Sequence, residues 1–384
     1  MNFMSIAMIA SLVLLVPVVG GLLALTPWLM KRNECFAVTI PAAAHSDPRI
    51  VALKRAYSKN VVAITAVFTV ILVGLVAWCV QGGLNPQEDV VLAWAVVAGA
   101  FAPIIISFAL MLVYRGKVRA IKDEEQWAAP VQQAAAVLVE ADVPSPISLA
   151  WNLLYVPIAL GTLALGLVLY SSMPEVIPMK MSFSGEVVST MAKGPGAIAF
   201  PVLLVVFMGV VMTLCHWSIG RSKKHVDPAA PAVSALAYGM FARAQSVFLV
   251  ALGLGLSAVM GVTFVLSSAQ VISLAVAGAV VMFVALLAIA GAVVMALVYG
   301  QSGSKLQARM QGGEVQDCLV EDSDEHWVLG IIYFNPNDAS VFLPKRFGVG
   351  WTVNMAKPAA WAFFGGVVLL SILFAVGCLA ITGA

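Results

Sequence analysis

The side chains that could do chemistry crowd into one stretch, residues 321–361, which reads EDSDEHWVLGIIYFNPNDASVFLPKRFGVGWTVNMAKPAAW. An acidic run flanks His326 here, and Asp322 or Asp324 beside that imidazole is the nearest approach to a metal-ligand set. The other histidines, His45, His216 and His225, are too dispersed for HExxH, and no GxSxG or GxxxxGK[ST] occurs. Cys35, Cys79, Cys215, Cys318 and Cys378 form no CxxC pair and read as small apolar residues. Asp123-Glu124-Glu125 are consecutive on a helix, so their carboxylates splay over a wide arc and describe a solvated helix end. His216-Trp217 falls at the end of an apolar run, where such rings sit at a membrane surface. No residue is assigned a catalytic or metal-ligating role, and no cofactor is expected.

The elements that position this stretch are membrane spans. The 384 residues are 61% hydrophobic and 10% charged, and their mean hydropathy is +0.99, whereas a soluble domain carries about 25% charged residues. A net charge of +2 leaves no electrostatic footprint for direct nucleic-acid binding. A spanning helix needs about 20 mainly apolar residues. Eight stretches qualify: residues 3–30, 61–81, 90–114, 149–170, 197–219, 246–266, 271–299 and 358–381. The basic Lys31 and Arg32 follow the first run rather than precede it, so it reads as a retained helix and not a cleaved signal. Alternating the spans places all but Lys180 and Lys193 of the 21 basic residues on one side. Basic loops stay in the cytoplasm, so both termini are expected outside and the motif stretch inside. No span carries Asp, Glu, Lys or Arg at its middle, which argues against an ion-coupled pathway.

The expected fold is therefore an all-α polytopic membrane protein of about eight transmembrane helices, with a small cytoplasmic β-hairpin-containing element before the last. Its parts run 1–60 (first helix and basic segment), 61–148 (helices two and three with a connector rich in Ala and Pro), 149–220 (helix, outer loop, helix), 221–300 (helices six and seven), 301–357 (motif domain) and 358–384 (last helix). Ser46 to Lys59 reads as a basic amphipathic helix lying on anionic lipid, with Ile50, Leu53 and Tyr57 along one side. Ala251/Gly255 and Ala288/Ala292/Ala296 repeat small residues every four positions, a spacing that lets helices approach within one chain or between copies of a homo-oligomer. Pro103 and Pro201 are expected to kink their spans.

In the motif stretch, β-formers over 327–334, the turn Asn335-Pro336-Asn337-Asp338 and a second run over 340–343 predict one hairpin. Asp338 should bond turn amides, and Gly348 and Gly350 permit positive φ. Lys345-Arg346 should face lipid phosphates or acidic partners, and Trp327, Trp351 and Trp361 should settle at the bilayer interface. Two hairpin strands alone are marginal in water, so the element must cap the helix bundle or dock on a partner. The candidate cytoplasmic motif is Trp327, Gly330, Tyr333, Asn335, Pro336, Asp338, Lys345, Arg346, Gly348, Gly350, Trp351 and Asn354.

The outer loop from Ser171 to Gly196 contains Pro174 and Pro178, which rule out a regular helix, and Gly185, which marks a turn. With Lys180 and Lys193 these form the candidate outer-loop motif. From Trp151 through Pro201 the chain resembles a domain of unknown function shared with the SdpI family of bacterial immunity and signalling membrane proteins. Tyr170, Met173-Pro174, Ile177-Pro178, Gly185-Glu186 and Lys193 carry that resemblance. Lys180 stands where the family often has histidine, and Ser182 near where it has asparagine, so no role of that histidine transfers. Pro27, Trp28, Lys31, Arg32, Phe36, Val38 and Pro41 are similar to the opening of longer members. Residues 327–354 resemble a second small domain of unknown function that accompanies them. The resemblance implies a protein of the bacterial cytoplasmic membrane that senses an extracellular peptide or envelope state and docks a cytosolic regulatory protein. A transporter or lipid-handling protein is the alternative.

Overall fold

The computed structural model describes residues 3–31, 33–82, 86–128, 143–182, 185–224, 226, 230–311, 322, 324–348 and 350–382. Arg32, His225, Cys318 and the connector at 129–142 lie outside them. The helices are α1 (Phe3–Leu29), α2 (Pro48–Gly82), α3 (Pro86–Glu124), α4 (Tyr155–Leu169), α5 (Gly196–Gly220), α6 (Pro231–Ser268), α7 (Leu274–Tyr299), the short α8 (Ser304–Met310) and α9 (Pro358–Thr382). Among the described residues, eight helices are long and apolar enough to cross a membrane. Two groups pack side by side: α1, α2 and α3 against one another, and α4, α5 and α6 likewise. α7 joins them by lying against α6 and α1, and α9 flanks α5.

Three helices outrun the bilayer. α2 has 35 residues, α3 has 39 and α6 has 38. At 1.5 Å per residue each is more than about 50 Å long, against about 30 Å of hydrocarbon. Residues 48–59 are therefore not a separate helix lying on lipid; they continue the second span straight out of the membrane. The apolar side expected there is real, but it faces protein: Ile50 and Tyr57 are fully buried beside Tyr114 and Val118 of α3.

Close packing follows glycines that hydropathy does not single out. A Cβ at Gly253 would lie 2.1 Å from the Tyr155 hydroxyl, one at Gly209 2.9 Å from the Tyr155 ring, and one at Gly261 2.6 Å from Thr162. The contact stripe of α6 is thus Gly253, Ser257 and Gly261, whereas Ala251 and Gly255 are exposed. Lipid tails are as apolar as leucine, so composition does not reveal which side of a span meets protein. Both α3 and α5 run unbroken through Pro103 and Pro201.

Among the described residues there are also four two-stranded antiparallel hairpins: β1 (Glu34–Cys35) with β2 (Val38–Thr39), β3 (Val176–Met181) with β4 (Val187–Ala192), β5 (Trp327–Val328) with β6 (Ile332–Tyr333), and β7 (Phe342–Pro344) with β8 (Trp351–Val353). The motif stretch thus holds two small hairpins instead of the single one expected across 335–338. β5–β6 closes over the three residues Leu329, Gly330 and Ile331, the first two at φ 52° and 75°, a backbone that glycine adopts freely and leucine rarely does. Asn335–Asp338 instead links the hairpins. The Asn337 amide donates to Asn335 Oδ1 and the Ser340 amide to Asp338 Oδ1, each at 2.9 Å.

Candidate functional site

The densest polar and aromatic packing lies outside the apolar spans, where the motif module meets the chain leaving α1. There β1–β2 turns over Phe36 and Ala37, at φ 45° and 59°. Positive φ is costly for side chains bearing a Cβ, at about 1–2 kcal/mol per residue, and burial holds the turn in place. Both residues are fully buried. Phe36 contacts Tyr57 of α2 at 5.2 Å, Tyr114 of α3 at 5.4 Å and Phe347 of the module at 6.4 Å between ring centroids. The two tight turns meet tip to tip: a Cβ at Gly330 would sit 2.6 Å from that of Ala37 and 3.1 Å from Arg115 Nε.

Beside this aromatic box lies a buried charge network. Arg346, 3% exposed, donates from Nη1 to Asp324 and from Nη2 to Thr39 Oγ1 at 2.9 Å; its guanidinium lies 5.2 Å over the Trp327 ring. Its Nε is 3.9 Å from Glu34 Oε1, a carboxylate that Lys31 also approaches at 3.4 Å. Asp324 accepts further bonds from the Thr39 amide at 3.0 Å, the Thr39 hydroxyl at 2.8 Å and Lys122 Nζ at 2.7 Å. Asp322 takes the same ammonium at 2.6 Å. Burial alone would raise the Asp324 carboxyl, but Arg346, Lys122 and Thr39 outweigh it and hold the group at about 2. Neighbouring Cys35 has no comparable donor set, and burial pushes its thiol up to about 12. It is an inert core residue, not a nucleophile.

A second latch ties the module to α5. Asp338 accepts from Lys223 Nζ at 2.8 Å and from the Tyr333 hydroxyl at 3.0 Å. Burial pushes its carboxyl up, but Lys223 and the Ser340 amide prevail and keep it at about 2. The Lys223 amide donates to Phe342 O at 2.8 Å, and the Phe342 ring meets Trp217 edge-on at 5.6 Å. Asn354, fully buried, donates to the carbonyls of Asn335 at 2.8 Å and Asp338 at 3.2 Å, and its Oδ1 accepts from the amides of Asn335 and Ala356. Lys357 Nζ reaches Pro336 O at 2.8 Å. At the end of α7, the buried Gln301 side chain pairs with Gly350 through both N–H and C=O and also donates to Lys345 O. Trp351 stacks on Phe241 of α6 at 5.6 Å. Gly348 and Gly350 take φ 87° and 125°.

Two expectations about this motif need correction. Arg346 faces the interior and its acidic partners are Asp324 and Glu34 of the same chain; only Lys345 is exposed. Trp327 and Trp351 pack against protein, and Trp361 alone among the three is an exposed ring. The acidic end of α3 serves Arg49, which bonds Glu125 at 2.6 Å and Glu124 at 3.5 Å. His216 is buried rather than interfacial: its Nδ1 accepts from Asn152 Nδ2 at 2.9 Å, leaving Nε2 to donate to Ile147 O at 3.1 Å. That pattern specifies the neutral Nε2–H tautomer, which pins residues 147–152 to α5. Among the described residues no three His, Cys, Asp or Glu side chains are grouped to hold a metal.

At the opposite end of the bundle the five outer-loop residues fall in one structure. Pro174 leads into β3, Pro178 pairs with Thr190, and Lys180 stands opposite Ser189 at a register shift. Gly185 turns at φ 96°. Lys193 closes the hairpin, donating to Met173 O at 2.8 Å with its ammonium 5.3 Å over Tyr170. Met173, Ile177 and Met191 form a core with Ala197 of α5 and Val265 of α6, while Val187 to Thr190 of β4 are exposed. The hairpin itself is an addition to what the loop sequence suggests.

The sequence motifs did not point to Thr39, Glu34, Lys122, Lys223 or Gln301, all of which complete the site. Lys31, Phe36 and Val38 of the opening motif, in the segment after α1, were the available pointers. Residues 158–205 match a domain of unknown function (DUF1648), the SdpI-associated one, and residues 336–361 match a family of unknown function (DUF5808). Neither a curated protein nor a solved structure matches the chain.

Proposed function

We propose that the chain is an immunity-type signalling protein of the membrane, in which the β3–β4 hairpin receives an extracellular peptide or envelope state and the motif module answers to a cytosolic regulator. The observation that supports this reading is α5. This single 25-residue helix begins in the core under the hairpin through Ala197 and at its other end sets Trp217 against Phe342, with Lys223, three residues past the helix, bonded to Phe342 and Asp338 of the module. A continuous helix transmits a shift at one end to the other without intermediate joints. The basic loops gather at the module's end, so the positive-inside bias makes that end cytoplasmic. Most of the motif's distinctive side chains are engaged in closing the module onto the bundle. What a regulator reads is therefore whether the clasp is closed or released.

The test uses the full-length protein purified from its own membranes, before and after the cells are challenged with membrane-active peptides. A cytosolic DNA-binding protein should co-purify in an amount that changes on challenge. That change should vanish in a Val188→Asp, Thr190→Asp double variant of the exposed β4 strand. Recovery of no cytosolic protein, or of an amount indifferent to challenge, overturns the reading.

A further inference from the structure

We infer that the β5–β6 hairpin is a wedge that dips into the headgroup layer of the bilayer, so that the motif module is held by lipid as well as by the bundle. A half-buried hairpin in water alternates an apolar inner face with a polar outer one. This hairpin is apolar on both. Trp327 pairs with Tyr333 on the inner side, both buried, and Val328 pairs with Ile332 on the outer side. Val328 is 53% exposed, Leu329 50%, Ile332 39% and the following Phe334 50%. Gly330 is the single non-apolar residue from 327 to 332, so the tip offers water no polar side chain.

The hairpin's direction decides which surface covers it. The chain starts at Asp324, which bonds Lys122 near the far end of α3. Arg115 then donates to Trp327 O at 3.4 Å, and the turn glycine, Gly330, packs against that same Arg115. Lys122 and Arg115 are seven residues apart on one helix, about 10 Å of axial rise. The chain thus runs back along α3 toward its apolar segment, which ends at Tyr114. The tip comes to rest where α3 leaves the hydrocarbon. Lys117 and Arg119, exposed on α3 at that level, are placed for lipid phosphates. An apolar tip among cations at the membrane boundary is the pattern of interfacial insertion, and a patch of this kind left in water would be a liability.

The test uses full-length Leu329→Trp protein in vesicles at high lipid excess, without other proteins, read as the emission added over the parent. Lipid brominated near the carbonyl end of its acyl chains should quench the added emission, and aqueous acrylamide should not. Ile332→Trp, at an outward strand position, should behave alike and guards against a local failure of the turn. Quenching by acrylamide with no effect of bromolipid overturns the inference and leaves the tip open to a protein partner. Protection from both quenchers also overturns it, because protein (a second copy or the module itself) then covers the tip. Neither result bears on whether a regulator docks.

Discussion

Arg346 and Lys345 are neighbours in sequence with opposite fates, and the contrast is measurable. Arg346→Ala would leave Asp324 and Glu34 facing each other with one fewer cation in a buried site. Breaking a buried pair from one side costs about 3–5 kcal/mol, so thermal unfolding of the purified protein should shift strongly. Lys345→Ala, at an exposed position, should stay within about 0.5 kcal/mol. A second contrast separates strain from collision. Gly348 and Gly330 have similar positive φ, but a Cβ at Gly348 meets nothing within 4 Å while one at Gly330 runs into Ala37. Gly348→Ala should cost about 1–2 kcal/mol from backbone strain alone. Gly330→Ala should exceed it by a further 1–3 kcal/mol or so of overpacking. Equal losses would show that the two turn tips do not touch.

At the scale of elements, the module is held by carboxylates, which gives the clasp a direction in pH. Asp324 and Asp338 are both held at about 2, below their ordinary value of 3.8. A group whose folded pKa is depressed adds stability above its unfolded pKa and loses it as pH falls through the folded one. Protease sensitivity of the segment 324–354 should therefore be flat above about pH 4 and rise between there and about pH 2. Asp324→Asn should flatten much of that rise. Asp338 contributes less, because half-exposed Lys223 is partly screened. Helix α2 makes its own prediction. If residues 48–59 continue the span, their amides should exchange slowly without a break at Lys59, whereas a separate surface helix would show a fast-exchanging joint there.

For the whole molecule, α5 joins the two ends that carry hairpins, and the positive-inside rule predicts the side each faces. Asn337→Cys in the module and Ser189→Cys in β4 both replace exposed residues. A membrane-impermeant thiol reagent added to intact cells should label the second and not the first, and inverted vesicles should reverse the result. Labelling of both from one side would undo the alternation of eight spans.

What the sequence determined alone follows from properties that act locally. Twenty apolar residues in a row commit to a span-length helix wherever they fold. Asn335 and Asp338 bond amides two residues on, while Gly348 and Gly350 accept positive φ, all within the reach of a few bonds. The choice of partners was decided only by the tertiary structure. Arg346 meets Thr39 across 307 positions, and Asp324 meets Lys122 across 202. Nothing in the sequence of the basic loops marks Lys122 or Lys223 as the residues that bond the module's carboxylates. The same holds for α6, where Ala251/Gly255 and Gly253/Ser257/Gly261 both repeat small residues every four positions and only the positions of α4 and α5 select the second set. Hydropathy measures transfer from water. Inside the bilayer and at its rim the deciding quantities are shape and the pairing of buried charge, and these exist only once the helices are assembled.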